Sequence, residues 1–253
     1  TDIKPERVIR CGKKDNFWEM GDTGPCGPCS EIHFYIGDDL EKQRASGVNN
    51  SDMYWELWNL VFIQNNRIED GSLAELPAKH VDTGAGLERI AAVMQGKDSN
   101  YDTDLFLPII LAIQEKAKSD YKINPIPHRV IADHIRMLCF SIADGALPSN
   151  EGRGYVLRRI LRRASRFGRS LGLEEPFMFE LVQVLVETMG DNFPEINEKK
   201  THIEKVIRAE EISFNDTLDR GLNHFEKIIN QDGITGISGE DAFKLYDTYG
   251  FPF

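Results

Sequence analysis

The stretch that decides the fold reads Lys79-His80-Val81-Asp82-Thr83-Gly84-Ala85-Gly86-Leu87-Glu88-Arg89-Ile90. Val81 ends an apolar approach typical of a strand. Asp82 and Thr83 are residue types that cap helices. From Leu87 the apolar positions recur at helical spacing, and Gly96 is a typical stop. The pattern therefore predicts a strand-to-helix junction followed by a helix that ends near Gly96.

This junction carries residues that suit a ligand. Gly84 and Gly86 lack side chains, so the flat face of a ligand could come close to the backbone. Asp82 could hold a cationic group, and Arg89 could hold a phosphate or a ring. The alternative is a tight turn with a surface ion pair, because short glycine patterns are common.

Two segments before the junction contain β-favouring residues. Residues 54–64 alternate aromatic positions and predict a central strand, in which Asn59 is either a satisfied core amide or a substrate contact. Glycines and prolines within 21–28 predict an irregular loop, followed by a strand over 30–36. Cys26, Cys29 and His33 have zinc-ligand spacing, but no fourth ligand is apparent nearby, so we assign no metal-binding residues.

The composition limits the classes of protein to which the chain could belong. The chain has 253 residues, 41% of them hydrophobic and 28% charged, as in ordinary soluble domains. No apolar run reaches the roughly 18 residues that span a membrane, and four cysteines are too few for a disulfide scaffold, so we expect a cytoplasmic protein that does not contact membranes. The net charge of −11 would argue against nucleic-acid binding if it were evenly spread.

The charge is not evenly spread. Residues 150–172 contain seven arginines and one acid, Glu151. A helix is predicted there, with apolar residues on its buried side and an exposed ridge of four arginines, Arg158, Arg162, Arg166 and Arg169. Like charges at this spacing repel unless carboxylates or phosphates neutralise them. Arginines without lysines favour bidentate phosphate contacts, so the pattern indicates RNA or an acidic partner. Another helix is predicted from His128, with His128 and His134 on its polar face.

Longer motifs indicate a family. The segments that carry the resemblance run in order through nearly the whole chain: 16–31, 57–62, 82–89, 100–106, 152–159 and 246–252. They read, for example, Leu57-Trp58-Asn59-Leu60-Val61-Phe62 and Tyr246-Asp247-Thr248-Tyr249-Gly250-Phe251-Pro252. On these motifs the chain resembles the alanyl-tRNA synthetase family, a class II aminoacyl-tRNA synthetase family.

The resemblance implies an α+β fold. It places the later part of an antiparallel-sheet catalytic domain, with class II motif 3, at 1–98, and an all-helical domain that recognises the tRNA acceptor stem at 99–253. In the family, motifs 1 and 2 precede this region, and editing and oligomerising regions follow it. We therefore expect a fragment whose catalytic portion is incomplete, and its oligomeric state is left open.

The resemblance also implies a two-step reaction. L-Alanine is activated by ATP and Mg²⁺ to alanyl-adenylate and then transferred to the 3′ end of tRNA(Ala). Asp82 and Arg89 would be the catalytic residues. The implied ATP site is Trp18, Leu57, Trp58, Asn59, Gly86 and Arg89, and the implied alanine site is Asn59, Val61, Asp82 and Gly84.

For tRNA, the resemblance implies that Asn150 and Asp247 read a G·U wobble pair in the acceptor stem. The implied contacts to the RNA backbone are Arg153, Arg158, Arg162 and Arg166. One alternative is a non-catalytic acceptor-stem-binding module, and another is a metal-dependent RNA hydrolase that uses Cys26, Cys29 and His33.

Overall fold

The structure, a computed structural model, describes residues 3–230, 236–249 and 251. The chain forms two compact units, Thr1–Thr103 and Asp104–Phe253. The elements of the first unit are α1 (Lys13–Asn16), β1 (Phe17–Glu19), β2 (Gly24–Tyr35), β3 (Tyr54–Arg67), β4 (Leu73–Ala85) and α2 (Leu87–Met94). Short 3₁₀ turns lie at Pro5–Arg7, Leu40–Lys42, Ala45–Gly47 and Asn100–Asp102.

The first unit is built on one antiparallel sheet. The strands lie in the order β1-β2-β3-β4, and each pairs with the next in sequence. The predicted central strand is β3, which has a partner on both sides. It joins β4 through a hairpin in which the backbone N–H of Gly71 donates to the carbonyl of Ile68. The sheet and the helices together confirm the α+β class.

The prediction of an irregular loop over 21–28 is wrong, since β2 begins at Gly24. Pro28 lies within a register shift between Cys26 and Cys29, the kind of bulge at which proline is tolerated in a sheet. A Cβ at Gly27 would overlap the carbonyl oxygen of Phe62 on β3, so only glycine fits. The close approach of the Phe62 backbone thus explains Gly27, and the register shift explains Pro28, two of the residues that suggested a loop.

The predicted helix after the junction is confirmed as α2, but its predicted cap is wrong. Asp82 and Thr83 lie inside β4, and Gly86 occupies the N-cap position without a side-chain hydrogen bond. The helix ends at Met94, and Gly96 follows with φ of +59°, a conformation that glycine adopts readily. Pairing with β3 holds the segment extended up to Ala85, so Asp82 is presented on a strand.

The described elements of the second unit are helices. They are α3 (Leu107–Ala117), α4 (Pro125–Ala143), α5 (Gly152–Ser170), α6 (Met178–Met189), α7 (Pro194–Glu198), α8 (Lys200–Ile229) and α9 (Gly239–Asp247). Their core includes one fully buried stripe along α4, made of Ile131, Ile135, Leu138 and Ile142. Ser238 caps α9, because its hydroxyl accepts the N–H of Asp241 at 3.1 Å. No helix within the described ranges is both long and apolar enough to cross a bilayer.

The prediction that His128 and His134 lie on a polar face is wrong. His128 is fully buried, and its ring nitrogens lie 2.8 Å from the carbonyl of Asn124 and 3.1 Å from that of Ser119. His134 is 6% exposed and lies between Asp133 and Arg163. Buried polar groups with partners are tolerated in a core, and two of these partners, Ser119 and Arg163, lie at positions that helical spacing does not reveal.

Candidate active site and nucleic-acid interface

Two rungs, or cross-strand residue pairs, of the β3–β4 ladder bring the predicted alanine-site residues together, and they are neighbours on one face of the sheet. Asn59 lies opposite Gly84, and Val61 lies opposite Asp82, across the β3–β4 ladder. Opposed residues of an antiparallel pair point to the same face, and residues two apart on a strand share that face. Asn59, Val61, Asp82 and Gly84 therefore lie on one face of the sheet.

The chemistry of this face suits a small molecule with a positive charge. Asp82 is exposed, and a Cβ at Gly84 would meet no atom within 4 Å. The side-chain oxygen of Asn59 is buried and accepts no hydrogen bond from any described residue. A buried acceptor of this kind is stabilised by a donor. The two rungs thus offer a carboxylate, an amide oxygen and open space beside the apolar Val61, which is 7% exposed.

Strand β2 adds a carboxylate that sequence reasoning missed. Glu31 lies opposite Asn59, and Cys29 lies opposite Val61, so both extend the same two rungs. The carboxylate of Glu31 lies 2.8 Å from Nε2 of His33. The sequence signal for Glu31 is the predicted strand over 30–36, in which Glu31 and His33 lie on one face. Only the register with β3 shows that this is the face of Asn59.

The cysteine pair does not form a metal site with its neighbours. Burial raises the pKa of the Cys29 thiol, and the nearby Glu31 and Glu56 raise it further, so the uncharged thiol is favoured. Within residues 3–230, 236–249 and 251, no three His, Cys, Asp or Glu side chains are grouped to hold a metal ion. All four cysteines of the chain are free thiols.

The start of α2 donates hydrogen bonds to two backbone carbonyls of β3. The N–H of Gly86 donates to the carbonyl of Leu57 at 3.0 Å, and Nη1 of Arg89 donates to the carbonyl of Glu56 at 2.6 Å. Arg89 remains exposed at a cleft of about 450 Å³, within the range of small-molecule sites. The titratable side chains that line this cleft include His33, Asp52, Glu56, Arg89 and Asp98.

In the second unit, the predicted exposed arginine ridge is wrong. Arg158 and Arg162 lie against Glu210, and Nη2 of Arg169 lies 2.9 Å from Asp219. These three side chains are only 21%, 28% and 21% exposed. The carboxylates of Glu210 and Asp219 on α8 therefore offset the repulsion expected between arginines three or four residues apart. The sequence of α5 alone does not identify α8 as the acidic partner, because contacts between distant helices cannot be read from one helix.

Arg166 is also partly withdrawn from solvent. Burial lowers the pKa of its guanidinium, and the neighbouring charge of Arg163 lowers it further. The exposed arginines of α5 are instead Arg153, Arg159 and Arg163. The guanidinium of Arg159 lies 5.8 Å from the ring of Tyr155, which is 48% exposed. These exposed residues of α5 offer positive charge, which contacts nucleic-acid backbones, and an aromatic face, which contacts bases.

Asn150 lies at the start of this helix, in the loop before Gly152, and its side chain is exposed. Its oxygen accepts a hydrogen bond from Nη1 of Arg158. The side chain of Asp247, its predicted companion, lies outside the described part of the chain.

Comparison with known proteins assigns the chain to a family. Residues 1–253 match the family described as tRNA synthetases class II (A). The chain belongs to this family of class II tRNA synthetases. It is 55% identical over its whole length to a protein of Chlorobaculum tepidum named Alanine–tRNA ligase, and 51% identical to one of the same name from Chlorobium phaeovibrioides. A third relative with that name, from Legionella pneumophila, is 53% identical over 99% of the chain.

This class II synthetase chain spans 29% of the length of those relatives. Its predicted ATP-site residues are not all brought together. Leu57, Gly86 and Arg89 lie around the start of α2. Trp58 pairs with Ala85, alternates with Asn59 along β3 and therefore lies on the opposite face of the sheet. Trp18 lies on β1, which β2 separates from β3.

Proposed function

We propose that this chain is the part of an alanine–tRNA ligase that holds alanine and one end of ATP and contacts the acceptor stem of tRNA(Ala). The observation that carries the proposal is the placing of Asn59 and Gly84, and of Val61 and Asp82, on neighbouring rungs of one sheet face. The family assignment and the names of the relatives support it. The complete reaction belongs to the longer enzyme of which such a chain forms 29%.

Alanine fits the chemistry of the two rungs. The carboxylate of Asp82 takes the ammonium group of the substrate, and the buried oxygen of Asn59 accepts one of its N–H groups. Gly84 leaves room for the substrate above the strand. Val61 offers an apolar surface of a size suited to a methyl group.

ATP would be held at the cleft beside Arg89. The guanidinium attracts phosphate oxygens, while the lining carboxylates of Asp52, Glu56 and Asp98 would repel them. Mg²⁺ resolves this conflict, because it binds through one or two carboxylates together with phosphates and needs no cluster of protein ligands. The lining residues thus fit the ion: carboxylates among Asp52, Glu56 and Asp98 would hold Mg²⁺, which would supply charge neutralisation.

The chemistry needs positioning rather than a protein nucleophile. A carboxylate oxygen of alanine attacks the α-phosphorus of ATP, and pyrophosphate leaves to give alanyl-adenylate. The terminal ribose hydroxyl of tRNA(Ala) then attacks the alanyl carbonyl, and AMP leaves. Asp82 orients the amino acid, and Arg89 stabilises the negative charge of the phosphates.

We assign residues 99–253 to recognition of the acceptor stem. Asn150 and Asp247 would read the G·U pair, and Arg153, Arg159 and Arg163 would contact phosphates. The exposure of these three arginines supports this assignment, in which Arg159 and Arg163 take the place of Arg158, Arg162 and Arg166. A role in protein synthesis and four free thiols support the cytoplasm as its compartment.

The experiment uses a chimera in which this chain replaces the matching residues of the Chlorobaculum tepidum relative. ATP–pyrophosphate exchange is measured with alanine, glycine and serine, and with the 253-residue chain alone as a second sample. We expect the chimera to catalyse exchange, fastest with alanine, and the 253-residue chain alone to catalyse none. A chimera that folds but exchanges no better with alanine than with no amino acid would contradict the proposal. Binding of acceptor-stem RNA by such an inactive chimera would favour the non-catalytic module instead.

A further inference from the structure

Arg158 connects the exposed Asn150 to a carboxylate of another helix. Its Nη1 donates to the side-chain oxygen of Asn150, and its Nη2 donates to Oε2 of Glu210 at 3.1 Å. Its Nε lies 2.8 Å from Oε1 of Glu210, an ion-pair distance without hydrogen-bond alignment. Arg158 is 21% exposed and Glu210 only 10%. One guanidinium thus bridges a fixed anion on α8 and a surface amide.

We propose that Arg158, held by Glu210, is a positioning residue that presents the Asn150 amide to RNA with its NH₂ group outward. This inference rests on the proposed function, in which Asn150 reads the acceptor stem. It gives the ridge arginine a role different from the phosphate contact that its sequence position suggested.

The orientation of the amide follows from donor and acceptor chemistry. A guanidinium has five N–H donors and no acceptor, so it can engage only the oxygen of an asparagine amide. With that oxygen occupied, the NH₂ group is the part of the amide left to face a ligand. Its partners in RNA are acceptors: pyrimidine O2, purine N3 and the ribose 2′-hydroxyl at the minor-groove edge.

The backbone beneath Asn150 is held as well. The N–H of Ser149 donates to the carbonyl of Gly154 at 3.0 Å, and the Ser149 hydroxyl donates to the carbonyl of Glu151 at 2.9 Å. A Cβ at Gly154 would overlap Ser149, so this turn is closely packed. A held backbone and a held side-chain oxygen reduce the conformational entropy that Asn150 loses on binding.

Arg158 is poorly placed to bind phosphate itself. Two of its nitrogens donate to Asn150 and Glu210, and the third lies at ion-pair distance from the same carboxylate. A phosphate would have to share the guanidinium with a carboxylate that is nine-tenths buried and already neutralises its charge. Removal of a phosphate-binding arginine changes the salt dependence of RNA binding, whereas removal of a positioning residue changes selectivity.

The test measures binding of the 253-residue chain to two acceptor-stem hairpins, one with a G·U pair and one with a G·C pair, across a salt series. The variants are Arg158→Gln and Glu210→Gln. The benchmark is Asn150→Ala. The control is Arg169→Gln, which breaks an equivalent ion pair with Asp219 between the same two helices. Far-UV circular dichroism verifies that each variant is folded, and Glu210→Gln keeps the test available if Arg158→Gln unfolds.

We expect Asn150→Ala, Arg158→Gln and Glu210→Gln each to lower the G·U preference by about fivefold, the value of one hydrogen bond. Their salt slopes should equal that of the unmodified chain, and Arg169→Gln should keep the preference. The inference is overturned if Asn150→Ala lowers the preference while both ion-pair variants keep it. It is also overturned if Arg158→Gln weakens binding to both hairpins equally with a shallower salt slope. An unmodified chain without any G·U preference would overturn the reading role of Asn150 itself, and with it the proposed function of this unit.

Discussion

Replacement of Glu211 by glutamine should remove a pH dependence from the stability of the helical unit. Glu211 lies on α8, is fully buried, and accepts the backbone N–H groups of Phe177 and Met178 at 3.2 and 3.0 Å. These groups lie at the start of α6, where backbone donors have no partner within the helix. Burial raises the pKa of Glu211 from 4.5 to about 7, although hydrogen bonds from the backbone oppose the rise.

The sign of the effect follows from proton binding. Between pH 4.5 and pH 7 the folded protein holds a proton on Glu211 that the unfolded chain has released. The free energy of unfolding therefore falls as pH rises through this window. Above the window, the folded state bears the full free-energy cost of ionising Glu211. The pKa difference corresponds to about 3 kcal/mol, at 1.36 kcal/mol for each pKa unit.

The assay is urea unfolding at pH 5 and pH 8, followed by two signals. Far-UV circular dichroism reports mainly on the helices of the second unit. Fluorescence reports on the first unit, which holds all three tryptophans, Trp18, Trp55 and Trp58. From pH 5 to pH 8, which covers most of this window, the unmodified chain should lose about 2.5 kcal/mol more helical stability than Glu211→Gln. Glu204→Gln, an exchange of a half-buried carboxylate on α8, is the control. Equal pH dependence of the unmodified chain and Glu211→Gln would refute the reasoning.

Gly27→Ala should destabilise the sheet by about 3 kcal/mol or more, since its Cβ would overlap the backbone of Phe62, and a tryptophan transition unchanged in urea would contradict this. Gly221→Ala would place its Cβ 2.6 Å from Cβ of Tyr249, so the segment after α9 should shift. The preference for the G·U hairpin should then fall. An unchanged preference would show that Tyr249 moves aside without affecting RNA binding. Arg159→Gln should reduce the salt slope of hairpin binding by about one, and an unchanged slope would exclude a phosphate contact.

Local patterns in the sequence predicted the secondary structure around the candidate site. Residues 54–64 predicted β3, and the spacing from Leu87 predicted α2. Each of these depends on alternation or helical periodicity, which short-range sequence determines. The shared sheet face of Asn59 and Asp82 depends on strand register, which the structure supplies.

Features determined by distant contacts were predicted wrongly. The Gly-Pro segment of β2 indicated a loop, because the close approach of Phe62 that requires Gly27 is not a local property. The arginines of α5 indicated an exposed ridge, because Glu210 and Asp219 lie on a helix far along the chain. His128 was placed on a polar face for the same reason, since one of its partners is the carbonyl of Ser119 before the helix.

The central claim is that the β3–β4 rungs bind alanine, and the most direct measurement is alanine-dependent ATP–pyrophosphate exchange by the chimera carrying Asp82→Asn. Loss of the charge that holds the ammonium should lower kcat/KM for alanine by about 100-fold or more. The KM for ATP should stay within about twofold. Glu75→Gln, on the same strand opposite Asn65, is the control and should leave exchange unchanged. Exchange by Asp82→Asn within about threefold of the unmodified chimera would contradict the claim.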